Sequence, residues 1–146
     1  MLRALLLCLA VAAPAVAQPG PATAQAVVTV EDLAEIRAVI NRQIDAFRRD
    51  DAQEAFALVS PGVQQTFGTP ERFLDVVRAA YHPVYRPASV AFLGLTAIGA
   101  DAVQQVQITD RTGAVWLAYY AMQRQRDGSW RTNGCHLVQP VKTIPT

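Results

Sequence analysis

The stretch VAFLGLTAIGADAVQQVQITDRTGAVWLAYYAMQRQRDGSWRTNGCHLVQ (Val90–Gln139) decides the fold of this chain. It holds four extended runs rich in β-branched and aromatic residues: Val90 to Ile98, Val103 to Thr109, Val115 to Arg124 and Trp130 to Gln139. Such runs read as strands when turn residues separate them. The separators, Gly99-Ala100-Asp101, Asp110-Arg111-Thr112-Gly113 and Asp127-Gly128-Ser129, are short and carry Gly or Asp, as antiparallel hairpins require. In the second run Val106 and Ile108 share one face and Gln105, Gln107 and Thr109 the other, so that strand has one wet side. The third differs. Val115, Leu117, Tyr119 and Ala121 alternate with Ala114, Trp116, Ala118, Tyr120 and Met122, leaving both faces apolar. One face can meet helices; the other calls for a concave interior, a partner subunit or a ligand, unless it is a set of ordinary surface aromatics.

Upstream the spacing is helical. Thr29 and Asp32 form a capping pair, and Leu33, Ile36, Ile40, Ile44 and Phe47 recur every three or four residues, which predicts an amphipathic helix of about five turns. Asp51 and Glu54 restart the pattern ahead of Ala55, Phe56, Leu58 and Val59, and Ser60-Pro61 ends it. Val63 to Phe67 reads as a short turn stopped by Gly68. Thr69-Pro70-Glu71 then opens a helix that places Phe73, Val76, Val77, Ala80 and Tyr81 on one side. His82-Pro83 and Arg86-Pro87 are expected to stop it, because a residue before proline is pushed toward extended geometry. Helices first and meander second predict an α+β domain with N-terminal helices packed on a curved four-stranded antiparallel sheet.

Before this domain, Arg3, the apolar run Ala4 to Ala13, Pro14 and Ala15-Val16-Ala17 have the layout of a signal peptide. Export to the periplasm or the outside is expected, with residues 1–17 removed, 18–28 as a flexible leader, 29–140 as one domain and 141–146 as a tail. The apolar run is shorter than the ~20 residues that span a bilayer, so no membrane anchor is expected after cleavage. Cys8 follows Leu5-Leu6-Leu7 rather than the small residues that lipid attachment needs. Lys and Arg total 13 against 12 Asp and Glu, and they are scattered, which argues against nucleic acid as a partner. With Cys8 lost, Cys135 is left without an internal disulfide partner and reads as buried, available to another chain, or reactive.

A family resemblance rests on Gln43-Ile44-Asp45-Ala46-Phe47, Asp50-Asp51, Ala55-Phe56, Ser60-Pro61, Phe67-Gly68-Thr69-Pro70, Tyr81-His82-Pro83-Val84-Tyr85-Arg86-Pro87, Asp127-Gly128-Ser129-Trp130 and Gly134-Cys135-His136-Leu137. These resemble the bacterial domain of unknown function 4864 family over essentially the whole domain. The resemblance implies a fold, similar to the NTF2-like or cystatin-like cone, and transfers no catalytic residues. One departure from that cone is expected: no strand is evident between Val59 and Phe73.

Candidate contact residues cluster where helix hands over to sheet. Tyr81, His82, Tyr85 and Arg86 offer hydroxyl, imidazole and guanidinium groups within six positions. Arg86 can hold an anion through paired N–H bonds and His82 can move a proton near neutral pH. Equally, two prolines can make a rigid connector in which the tyrosines pack and Arg86 pairs with an acid or caps a helix end. Cys135 and His136 are adjacent on a strand and point to opposite faces, so they cannot form a dyad. Two histidines and one remaining cysteine make a poor zinc set, so no metal and no cofactor are expected. Asp45, Asp75 and Asp110 read more simply as solvent-facing or turn residues than as pocket acids.

The function expected is a non-catalytic module for a small molecule or a protein. Trp116, Tyr119, Tyr120, Cys135 and the Tyr81 to Arg86 junction would supply its contacts. The alternatives are an isomerase, cyclase or hydrolase using a pocket His, Tyr or acid, and a structural homodimer through the sheet.

Overall fold

Thr29 starts the first of five helices that precede four strands in the computed structural model, which describes residues 27–140. The expected signal segment, the leader up to residue 26 and the tail 141–146 lie outside the described residues. Helix α1 (Val30–Arg48) opens with a full capping box: Asp32 N–H donates to Thr29 Oγ1 at 3.2 Å and Thr29 N–H to Asp32 Oδ2 at 2.8 Å. Its buried face is Ile36, Val39, Ile40, Gln43, Ile44, Ala46 and Phe47, with Leu33 half-buried at the margin. Helix α2 (Ala52–Ala57) is capped by Asp51, α3 (Pro61–Phe67) by Ser60 and α4 (Pro70–Ala80) by Thr69. Each cap side chain accepts an N–H that the first helical turn leaves unpaired.

One helical expectation needs correction. On α4 the buried residues are Phe73, Leu74 and Val77, while Val76 is half-buried and Ala80 exposed. The stripe is rotated because α4 packs against α2 and α3 rather than flat on the sheet. As expected, α4 ends just before His82-Pro83, and His82–Tyr85 then forms a separate single turn α5, with Val84 and Tyr85 N–H donating to Tyr81 O at 2.9 and 3.0 Å. Pro83 sits in the first turn, where its missing N–H forfeits no bond.

Strands β1 (Pro87–Ile98), β2 (Asp101–Asp110), β3 (Val115–Arg124) and β4 (Trp130–Val138) pair antiparallel in sequence order. The α+β architecture, helices followed by an open antiparallel sheet, is as the sequence predicts, and it is compatible with a cone fold. Across the strands Ile108, Trp116, Val106, Ala118, Leu137, Tyr120 and Cys135 share the inner face, which meets Ile36, Ile40 and Ile44 of α1 in one apolar core. On the outer face Leu117 and Tyr119 are half-buried, with Gln105, Gln107, His136 and Val138 as their cross-strand neighbours. Val59 makes an isolated parallel bridge to Thr132, and between Val59 and Phe73 the chain forms α3 and the start of α4 with no strand, as expected.

Asp32 does more than cap a helix. Arg124 grips it with two bonds of 2.8 Å, Trp130 Nε1 donates to it at 2.9 Å, and the guanidinium lies 4.5 Å from the Trp130 ring centre. The start of α1 is thereby locked to the β3–β4 hairpin. These donors, Arg124 foremost and then Thr29 and Trp130, hold the Asp32 carboxyl far below the usual carboxylate range. A depressed carboxyl contributes its full stability above about pH 4 and loses it as pH falls toward the folded value. Removing one partner of such a buried pair costs about 3 kcal/mol. Asp32→Asn is therefore expected to lower unfolding stability by that amount at pH 7, with the gap to wild type narrowing at pH 3, as urea titrations at the two pH values will show.

Candidate functional site

A cavity of about 240 Å³ lies at the seam between two apolar clusters. The first is the α1–sheet core; the second gathers Phe73 among Phe47, Phe56 and Phe67, with ring centres 5.3 to 6.1 Å apart. Helix α1 contributes Gln43 and Phe47 to the wall, α3 Val63 and Phe67, α4 Phe73, Val76 and Val77, and the α4–α5 junction Tyr81 and Val84. Tyr120 of β3 and Thr132 to Cys135 of β4 close the sheet side. The volume exceeds the ~150 Å³ that holds a benzene and falls short of the ~300 Å³ at which drug-sized pockets begin.

A bulge in β4 builds that sheet side. Ala121 pairs with Gly134 but Met122 with Thr132, so Asn133 is the extra residue, and Gly134 has φ 151°. Side chains three apart on a regular strand point to opposite faces. The inserted residue instead turns both Thr132 and Cys135 inward. Glycine suits the left-handed backbone there. The freed Asn133 side chain accepts from Ser60 Oγ at 2.6 Å.

Most polar groups on the wall are already paired. Gln43 Nε2 donates to Ala55 O at 3.1 Å and Thr132 Oγ1 at 3.0 Å, and Thr132 Oγ1 donates to Leu58 O at 3.3 Å. Among the described residues the Tyr120 hydroxyl is buried with no partner, in a residue 2 % exposed. Burial, helped by the adjacent Cys135, pushes its pKa well up, and burial pushes the Cys135 thiol up to about 12. Both groups keep their protons at neutral pH. Among the described residues, no carboxylate, imidazole, ammonium or guanidinium is on the lining side chains.

Of the residues the sequence singles out, the structure brings Tyr81, Tyr120 and Cys135 to this cavity. The others diverge. His82 is exposed, its ring 6.2 Å from that of Tyr85. Tyr85 is buried but turned toward Asp50, to which its hydroxyl donates, while Arg78 Nε donates to the same hydroxyl at 3.2 Å. Arg86 stacks 3.9 Å from the Tyr85 ring centre, donates to Phe47 O at the end of α1 and bonds Asp50 at 3.0 Å. That cluster lowers the Asp50 carboxyl, Tyr85 first and Arg86 next, and it pins Asp50 at φ 54°. Trp116 donates to Asp110 at 3.1 Å at the hairpin end, and Tyr119 lies on the outer face, accepting from Gln105 at 3.4 Å. Asp110 organises its turn, its carboxyl drawn down to about 2 by Thr112 and Trp116. Asp45 and Asp75 are exposed and pair with Arg48 and Arg78.

Periodicity marks Phe47, Phe73, Val76 and Val77 as apolar helix positions but not as walls of a hole. Gln43, Thr132 and Asn133 carry no sequence sign of their part. Asn133-Gly134 within a strand pattern is the signal that points to the bulge. Among the described residues no three His, Cys, Asp or Glu side chains group as a metal site would require. A family model described as Domain of unknown function (DUF4864) matches residues 29–144. No curated protein and no solved structure matches the chain.

Two outcomes follow from the buried titratable pair. Tyr120→Phe removes an unpaired buried hydroxyl and is expected to stabilise the ligand-free protein by about 1 kcal/mol in denaturant unfolding. A chromogenic disulfide reagent at pH 8 should label Cys135 at least about a hundredfold more slowly in the folded protein than in urea, because so little thiolate is present.

Proposed function

The chain belongs to the domain of unknown function 4864 family, and from the cavity at the helix–sheet seam we propose that it is an exported module that binds a small apolar molecule without transforming it. The carrying observation is a 240 Å³ apolar cavity with no charged side chain on its wall among the described residues. Apolar walls with a few placed polar groups are the usual make-up of small-molecule sites. Catalysis by proton transfer needs a group that can give or take a proton near the working pH. Tyr120 and Cys135 hold theirs too firmly, and His82 and Tyr85 are not on the wall. Export is supported by the residue pattern of Met1 to Ala17. Among the described residues no helix is long and apolar enough to cross a membrane.

A sheet-face homodimer would rest on Leu117 and Tyr119, yet glutamines and a histidine are their cross-strand neighbours on that face, which favours it less. Ligand binding raises stability in proportion to occupancy. Thermal-shift measurements with neutral aromatic and alicyclic compounds of about ten heavy atoms, sized to such a cavity, are expected to raise the melting temperature saturably. Val76→Trp or Val63→Trp, each projecting an indole from a half-buried wall position, should abolish that rise. A panel that leaves the wild type unmoved, or shifts that persist in both tryptophan variants, would remove the reading.

A further inference from the structure

Resting on the cavity as a binding site, we propose that helix α3 is the movable jaw of its mouth, swinging outward on joints at Ser60 and Gly68 to admit the occupant and closing over it afterwards. Exposure marks the mouth. Asn133 and Gly134 of the β4 bulge are exposed, Val63 and Phe67 of α3 are half-buried, as are Val76, Tyr81 and Cys135, and the rest of the wall is buried. The cavity therefore reaches solvent where α3 meets α4 and the bulge.

The elements of the wall are held very differently. Helices α1, α4 and α5 each bury side chains in the apolar clusters, whereas α3 buries none. Strands β3 and β4 are fixed by their ladder. Segments with few buried contacts are the ones that open locally, at far less cost than global unfolding. The fastenings of α3 are correspondingly few. At its start it is stitched to β4, with Ser60 N–H donating to Thr132 O at 2.9 Å and Ser60 Oγ to Asn133 Oδ1 at 2.6 Å. At its end Gly68 has φ 79°, and no atom lies within 4 Å of where a Cβ would stand, so this joint can turn without collision. Between the joints, among the described residues, one side-chain bond draws α3 down, from Gln64 Nε2 to Phe56 O at 3.0 Å, together with the edge-on contact of Phe67 with Phe73. Val63 and Phe67 lie four residues apart on one helix face and leave the wall together when α3 turns. Parting one hydrogen bond and two rings is a small step beside taking a strand out of the sheet.

Cys135, on the sheet side of the same cavity, reports the motion without a ligand. Iodoacetamide labelling of the full chain at pH 8, read on the Cys135 peptide by mass spectrometry, is expected to run about threefold to tenfold faster in Gln64→Ala, the gain in open population from one lost hydrogen bond. Asp32→Asn loosens the lock between α1 and the β3–β4 hairpin, away from α3, and should leave that rate within about twofold. Gln64 is not a wall residue. With indane as the probe, association and dissociation rates from NMR exchange measurements should therefore rise together in Gln64→Ala by the same factor, with Kd unchanged within about twofold. Labelling and exchange rates that Gln64→Ala leaves unmoved, or labelling that Asp32→Asn accelerates equally, overturn the jaw. Faster labelling with no indane binding upholds the motion and removes the binding reading alone; indane binding with unmoved rates does the reverse.

Discussion

The backbone stitch between Leu58–Ser60 and Thr132 sets the spacing of everything above the sheet. Ser60 N–H donates to Thr132 O and Thr132 N–H to Leu58 O, both at 2.9 Å, and Gln43 reaches across from α1 to bind the Thr132 hydroxyl. These bonds are directional, so they fix how far the short helices stand from β4 instead of letting apolar contact alone decide. Two apolar clusters result instead of one, and Tyr81 packs against both. The space between them is the cavity. Its walls are held by the stitch on one side and by the aromatic group around Phe73 on the other.

Two buried tyrosines show how differently this fold treats a phenol. Tyr85 donates to Asp50, receives from Arg78 and lies beneath Arg86, so its hydroxyl is satisfied within a cluster of surface charges. Tyr120 sits deeper, with sheet neighbours that offer nothing to its hydroxyl. In a low-dielectric interior an unmatched polar group is a liability unless it has work to do. The contrast separates a joint that braces the helix–sheet handover from a phenol closed into the core between α1 and the sheet.

Local chemistry was legible in the residue string, and long-range geometry was not. Thr29 with Asp32, Asp51, and Thr69 before Pro70 act as caps because capping is decided within three or four residues. The four strands and their order follow from short turn-bearing separators. Asp32 also reads as a mere cap; its grip on Arg124 and Trp130 joins residues more than ninety positions apart, which no periodicity encodes. Proximity along the chain suggested that Tyr81, His82, Tyr85 and Arg86 act together, yet a single helical turn spreads side chains around its axis. Tyr81 went to the cavity and Arg86 to the end of α1. The doubly apolar β3 did signal Tyr120, because an aromatic on the covered face must find a packing partner.

One margin of the sheet is β1; on the other, β4 is met from outside by Leu58–Ser60 at Thr132. A long unpaired strand is a template on which other chains can polymerise. Here the irregularity between Phe92 and Leu95 divides β1 into Ser89–Phe92 and Leu95–Ile98, and the carbonyls of Leu93 and Gly94 point to Gln104 instead of outward. An incoming strand would find two short, misaligned segments and Pro87 at the entrance, a poor seed for amyloid growth.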